Sequence, residues 1–331
     1  MPSATQIMSL LKSHGDGDDE HFYAVALQVA ASEARQGHAK LAKEIRDLVE
    51  SAKKRVAERA AGASILSLSQ PSGEVADLLE PVDTDMGMGM GIRDLVFDPK
   101  LYDRIERVLH EQQNLTRLKE NGLRPRQRLL FTGPPGCGKT MTASALATEL
   151  GLALFVVRLD SLISRYLGES LSKLRLIFEA AERTRAVYLF DEFDSIGYTR
   201  QAGSDVGEMR RILNSYLVFI ERLRGNSLII AATNNGDRLD KALYRRFDDL
   251  IEFGLPDSDE VKKAITQRLD NVTTTRLGWG SILEAAKGLS FAEVTRACDE
   301  SIKAMIIRDL PKISTDMLVS ALRERRLFIE P

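Results

Sequence analysis

The chain has 331 residues, room for two or three domains, and its 44% apolar and 28% charged residues suit packed cores rather than global disorder. Its 46 basic and 48 acidic side chains leave a formal charge of −2, which excludes a polybasic nucleic-acid or membrane-surface binder. Two cysteines, Cys137 and Cys298, exclude a disulfide scaffold, and the longest uncharged stretch, residues 60–73, is too short to span a bilayer, so a cytoplasmic protein is expected.

In chain order, Phe22, Val25, Ala26, Val29 and Ala30 repeat at helical spacing, and so do Leu41, Ile45, Leu48, Val49, Ala52 and Val56 after the turn at Gln36-Gly37-His38. With a short helix around Ile7–Leu11 they predict a three-helix bundle over residues 1–60. Asp16-Gly17-Asp18-Asp19 is not a calcium loop, because Leu27 stands where the last ligand of an EF-hand belongs. Such bundles resemble the microtubule-interacting-and-transport and tetratricopeptide-like adaptors; a bundle that only packs on its neighbour is the alternative. Residues 61–91 carry Glu74, Asp77, Glu80, Asp83 and Asp85 and no basic side chain. With Pro71, Pro81 and the run Met86-Gly-Met-Gly-Met-Gly91, they read as a flexible acidic linker. A methionine-lined contact strip is the other reading of that run.

From Arg128 onward short apolar runs alternate with helical patterns. Leu129–Phe131, Leu154–Val157, Val187–Phe190, Leu228–Ala231 and Leu250–Phe253 predict strands buried on both faces. Leu171, Leu174, Phe178 and Ala181, and then Ile212, Leu213, Tyr216, Leu217 and Ile220, predict helices between them. The expected fold is α/β, a parallel sheet sandwiched by helices over residues 92–255, followed by a helical unit over 256–331 where no strand pattern survives.

Gly133-Pro134-Pro135-Gly136-Cys137-Gly138-Lys139-Thr140 fits the phosphate-binding pattern G-x-x-x-x-G-K-T between a predicted strand and a predicted helix. Its glycines let backbone amides close around phosphate oxygens, Lys139 would reach the β- and γ-phosphates, and Thr140 would ligate Mg²⁺. Cys137 contributes its amide; no partner cysteine stands near it for redox work. The strand Val187–Phe190 ends in Asp191-Glu192, which sets Asp191 at the carboxyl edge beside Mg²⁺, through water, and lets Glu192 take a proton from the attacking water.

With these two motifs, residues 92–325 resemble the AAA+ ATPases, and within them the AAA clade. The resemblance implies ATP hydrolysis with Mg²⁺ in a homo-oligomeric, hexameric ring, with a C-terminal lid. It makes Ala231-Ala232-Thr233-Asn234 the sensor strand, with Asn234 orienting the lytic water. Leu239–Asp248 becomes the arginine-finger segment, with Arg246 first and Arg245 second, acting on the neighbouring subunit's site. Met141 follows the phosphate loop, adenine contacts fall on Leu95, Val96, Ala264 and Arg268, and Ala292 stands where other clades carry a sensor arginine. Ser164–Ser170 resembles the aromatic–hydrophobic–glycine pore loop that grips a threaded polypeptide, so Tyr166, Leu167 and Gly168 are the substrate-contacting candidates. The pattern is also similar to bacterial members encoded beside a subtilisin-like peptidase, which implies a peptidase or adaptor partner.

Two other functions stay open. A nucleic-acid motor is disfavoured, since Arg165 is the only positive residue in Arg165–Ser172. A nucleotide-switched scaffold would have no need of Glu192. The chain has no peptidase or zinc signature of its own. Arg323, Arg325 and Arg326 read as a solvated helix face, and the apolar tail Leu327-Phe328-Ile329 as closing the core of the lid.

Overall fold

The computed structural model describes residues 25, 26, 30, 73–82, 90–162, 167–194, 205–236 and 241–327. The chain divides into two compact units, Met1–Leu68 and Ser69–Pro331. Of the first, Val25, Ala26 and Ala30 are described, all helical and buried; the rest of the expected bundle lies outside the described residues.

In the second unit the elements run β1 (Leu79–Val82), α1 (Pro99–Gln113), α2 (Leu115–Glu120), β2 (Arg128–Thr132), α3 (Lys139–Leu150), β3 (Leu154–Val157), α4 (Leu159–Leu162), α5 (Leu167–Arg183), β4 (Val187–Phe190), α6 (Asp205–Arg222), β5 (Leu228–Thr233), α7 (Lys241–Tyr244) and β6 (Asp249–Glu252). Four further helices follow: α8 (Ser258–Arg268), α9 (Trp279–Ala286), α10 (Phe291–Ile307) and α11 (Thr315–Leu327). The strands form one sheet in the order β1-β3-β4-β5-β2-β6. Every neighbouring pair is parallel except β1 with β3, where Leu79 lies opposite Val157 and Val82 opposite Leu154.

The antiparallel strand corrects the reading of residues 61–91 as linker throughout. Gly73–Val75 forms a 3₁₀ turn, Leu78 and Leu79 are buried, and Arg158 N donates to Leu78 O (2.9 Å). Two leucines and a short backbone ladder outweigh an acidic, proline-containing composition once a sheet edge is within reach.

Side-chain alternation along the strands explains why both faces are covered. Leu129, Phe131, Val187, Leu189 and Ile230 share one cluster with Ile105 and Val108 of α1 and Ala143 and Leu146 of α3. The intervening Phe190 points the other way, stacking on Phe178 of α5 (5.9 Å between centroids) and meeting Tyr216 of α6 edge-on (5.0 Å). A separate cluster built from Val261, Ile265, Ile282, Val294, Cys298, Ile313, Leu318 and Leu322 holds the four C-terminal helices together.

Local sequence sets the helix starts. Asp98 caps α1 by accepting from Lys100 N and Leu101 N (2.8 and 3.1 Å), with Pro99 in the first helical position. Asp257 and Glu260 form a reciprocal capping box on α8 (2.8 and 2.7 Å). Two expectations about α11 are corrected. Arg325 is not on a solvated face: its guanidinium meets Glu293 at 2.5 Å and Glu300 at 3.4 Å, with only 16% of its side chain exposed. Arg326 donates to the carbonyl of Lys287. Leu327, expected in the lid core, is 75% exposed, and residues 328–331 lie outside the described residues. Among the described residues no helix is long and apolar enough to cross a membrane.

Candidate active site

Strand order assembles the site. β5 lies between β4 and β2, so three parallel neighbours deliver their carboxyl ends side by side. β4 supplies Asp191 and Glu192, β5 supplies Asn234, and β2 leads into the phosphate-binding loop before α3. A crevice at the carboxyl edge of a parallel sheet is the general ligand position in such folds.

The loop is shaped by its glycines. Gly133 has φ +143°, and a Cβ there would lie 2.1 Å from Phe253 O, so no larger residue fits where the loop leaves β2. Gly136 has φ +74°, and its Cβ would meet Ser290 Oγ at 2.6 Å and the Ala292 methyl at 2.8 Å. The C-terminal helices thus touch the loop directly, and Ala292 N donates to Gly136 O (3.0 Å). Ser290 also caps α10.

Lys139 is buried at the first position of α3. Its ammonium donates to Gly133 O (2.7 Å), Pro134 O (2.9 Å) and Asn234 Oδ1 (2.8 Å). Burial lowers its pKa, while the charges of Asp191 and Asp194 work in the opposite direction. Thr140 Oγ1 donates to Asp191 Oδ2 (2.7 Å), which joins the two expected Mg²⁺ ligands. Asp191 Oδ1 accepts from Glu192 N (2.9 Å). Glu192 is exposed and sits at φ +50°, in the left-handed region that L-residues adopt at a cost, so its backbone is held in a strained turn. Cys137 is buried in the loop, and burial raises its thiol pKa, which keeps it a thiol.

Other expected residues are placed as follows. Met141 is half exposed on α3. Leu95 is partly buried against the sheet cluster, and Val96 and Ala264 are partly buried. Arg268 is tied to Asp299 at 2.6 Å, so its guanidinium is engaged within the C-terminal helices. Arg245 is exposed; Arg246 pairs with Glu221 at 2.6 Å. Leu167 and Gly168 open α5, where Gly168 O accepts from Ser172 Oγ (2.8 Å); Tyr166 lies outside the described residues.

Sequence reasoning missed Asp194 and Asn235. Asn235 Nδ2 donates to Asp194 Oδ2 (3.1 Å), and Phe193 N donates to Ala232 O (2.8 Å), so the turn after β4 is stitched to the end of β5 and the turn that follows it. The signal was a third acidic residue in Asp191-Glu192-Phe193-Asp194, overshadowed by the first two.

The residues fit a nucleotide with Mg²⁺. The side-chain donors gathered at Thr140 and Asp191 are all oxygen, and among the described residues no group of three or more His, Cys, Asp or Glu is placed to hold a metal ion by itself. Mg²⁺ in phosphate sites uses one or two protein carboxylates and completes its shell with substrate phosphates and water, and Thr140 and Asp191 would supply the protein's share.

The family model described as "ATPase family associated with various cellular activities (AAA)" matches residues 129–255. An uncharacterized AAA family ATPase of Sinorhizobium fredii, y4kL, is 36% identical over 298 residues, covering 90% of this chain and 88% of that protein. The proteasome-activating nucleotidase of Pyrococcus horikoshii is 35% identical over 221 residues, 64% of this chain and 51% of the relative. Peroxisomal ATPase PEX6 of Saccharomyces cerevisiae is 36% identical over 185 residues, 52% and 18% respectively. The chain therefore spans about half the length of the first of these two longer relatives and less than a fifth of the second. The FIGL-1 AAA domain crystal structure superposes with a TM-score of 0.60 at 22% identity, over 79% of this chain and 88% of that one, a likeness of fold.

Proposed function

The chain belongs to the AAA family of ATPases and hydrolyses ATP, and we propose that it does so as a homo-oligomeric, hexameric ring that remodels protein substrates through a central pore. The observation that carries the hydrolytic core of this reading is the convergence of Lys139, Thr140, Asp191 and Asn234 through two side-chain hydrogen bonds of 2.7 and 2.8 Å. The name of the Pyrococcus horikoshii relative supports a protein-directed role, since proteasome activation is work on proteins.

In this reading Lys139 exchanges the carbonyls of Gly133 and Pro134 for phosphate oxygens, with the amides of Gly136–Met141 around them. Thr140 and Asp191 would hold Mg²⁺, which would supply charge neutralisation to the bound phosphates. Asn234, bonded to the Lys139 ammonium, orients the attacking water, and Glu192 accepts its proton. Leu95, Val96, Ala264 and Arg268 border the adenine, and Ala292 borders the phosphate loop at Gly136. Arg246, with Arg245 beside it, stabilises transition-state charge in the neighbouring subunit's site. Residues 92–255, with β1 (Leu79–Val82) at the sheet edge, form the nucleotide-binding domain, 256–331 the lid, and 1–60 a bundle that recruits substrate, adaptor or peptidase in the cytoplasm.

Tyr166→Ala tests the remodelling claim. The variant is expected to hydrolyse ATP at the parental rate and to stop unfolding a tagged model substrate, followed by loss of its fluorescence. Unfolding at the parental rate in this variant would refute threading.

A further inference from the structure

Arg246 occupies an unusual electrostatic position. Its main chain is fixed: Arg246 N donates to Leu243 O (2.9 Å), and its neighbour Phe247 is buried. One residue further on, Asp248 accepts from the amides of Gln127 and Arg128 (2.9 and 3.0 Å) and pairs with the Arg128 guanidinium (2.8 Å). Arg246 Nε is buried with no hydrogen-bond partner. Among the described residues the charge is met by one carboxylate, Glu221 Oε1, 2.6 Å from Nη1, from the last turn of α6. Both side chains are close to two-fifths exposed, at 41% and 42%.

Exposed ion pairs of this kind add little to folding, so stability is a poor account of why a carboxylate stands there. A guanidinium on a long, rotatable stem has a different need: it must present its planar donors in one orientation. We propose that Glu221 is a positioning residue for Arg246, locking the guanidinium through Nη1 so that its Nη2 donors are aimed at the phosphate of an adjacent subunit. This rests on the reading of Arg246 as a finger acting in trans. Glu221 touches no substrate in this scheme; it acts through Arg246 alone. The neighbouring Arg245 is exposed and serves as the less constrained member of the pair.

Mixed rings test this directionally. Lys139→Ala subunits offer an intact finger and no turnover of their own; Arg246→Ala subunits offer an intact site and no finger. Turnover in the mixture then comes from Arg246→Ala sites beside Lys139→Ala fingers. Adding Glu221→Ala to the Lys139→Ala subunit is expected to lower turnover about tenfold at unchanged KM, short of the 10³–10⁵ associated with losing a finger. Adding it to the Arg246→Ala subunit leaves the mixture unchanged. Glu221→Gln, which keeps an acceptor at the same reach, restores part of the loss, and the unfolding midpoint stays within a degree or so of the parent throughout. A fall that follows the Arg246→Ala subunit, or no fall in either, overturns the proposal for Glu221. A parent mixture no more active than its separate components overturns catalysis in trans itself.

Discussion

The main-chain amide of Ala292 donates to the carbonyl of Gly136 at 3.0 Å, so the first turn of α10 rests on the phosphate-binding loop. Ser290 Oγ and the Ala292 methyl fill the space beside Gly136 on the same side. Elements from two separate hydrophobic clusters therefore meet at the loop that must close on phosphate, and the position of one is set by the conformation of the other.

Gly136→Ala breaks that meeting. The added methyl adopts a left-handed φ at a cost of about 1–2 kcal/mol and displaces Ser290 and Ala292 as well. Affinity for a non-hydrolysable ATP analogue, measured by calorimetry, is expected to fall at least about tenfold, or roughly 1.4 kcal/mol. Parental affinity would show the contact to be dispensable.

Glu192 separates chemistry from folding. Glu192→Gln should cut turnover by about 10²–10⁴ while the analogue binds as before. Glu192→Gly should be equally inactive yet unfold at the same or a higher temperature, because relief of about 1–2 kcal/mol at φ +50° exceeds the roughly 0.5–1 kcal/mol that glycine costs in chain entropy. A marked drop in its unfolding midpoint would remove the strain argument.

The pH dependence follows from Lys139. Its charge is present below its folded pKa and lost as pH rises through it, and burial brings that pKa below the ordinary lysine value of about 10.4. Analogue affinity is expected to decline on the alkaline side at lower pH than a surface lysine would give. Lys139→Arg, charged throughout, should lack that decline whatever its affinity at neutral pH. Fluorescence titration from about pH 7 to 10.5 distinguishes the two curves.

What could be read beforehand was what is local. Gly133–Thr140 and Asp191-Glu192 announce themselves because a phosphate cradle and a strand-end carboxylate are each built within a few consecutive residues. The five apolar runs fixed the parallel strands for the same reason. Arg325 misled because its partner Glu293 is 32 residues away, and a run of arginines near a helix end carries no trace of where each will point. Glu221 was invisible on the same ground. β1 escaped notice because Leu79-Glu80-Pro81-Val82 is four residues long, interrupted by proline, and gains its meaning only from β3.

Arg325 offers the check on that correction. Arg325→Ala leaves Glu293, only 14% exposed, with the exposed Arg296 as its remaining described ion-pair partner at 3.1 Å. The unfolding midpoint should fall by several degrees, with the earliest loss of hydrogen-exchange protection in α10 and α11. Arg323→Ala, on an exposed position of the same helix, should leave both unchanged.

β1 has a bearing on crowding as well. A sheet of parallel strands ends in a row of open backbone groups, and copies held close together would find such a border easy to zip onto. Here the border next to β3 is hemmed by four residues of opposite direction, of which Pro81 brings no N–H and Glu80 brings an exposed carboxylate. The acidic, proline-bearing segment that looked like mere spacer thus finishes the fabric of the sheet, and leaves a selvedge poorly suited to joining another.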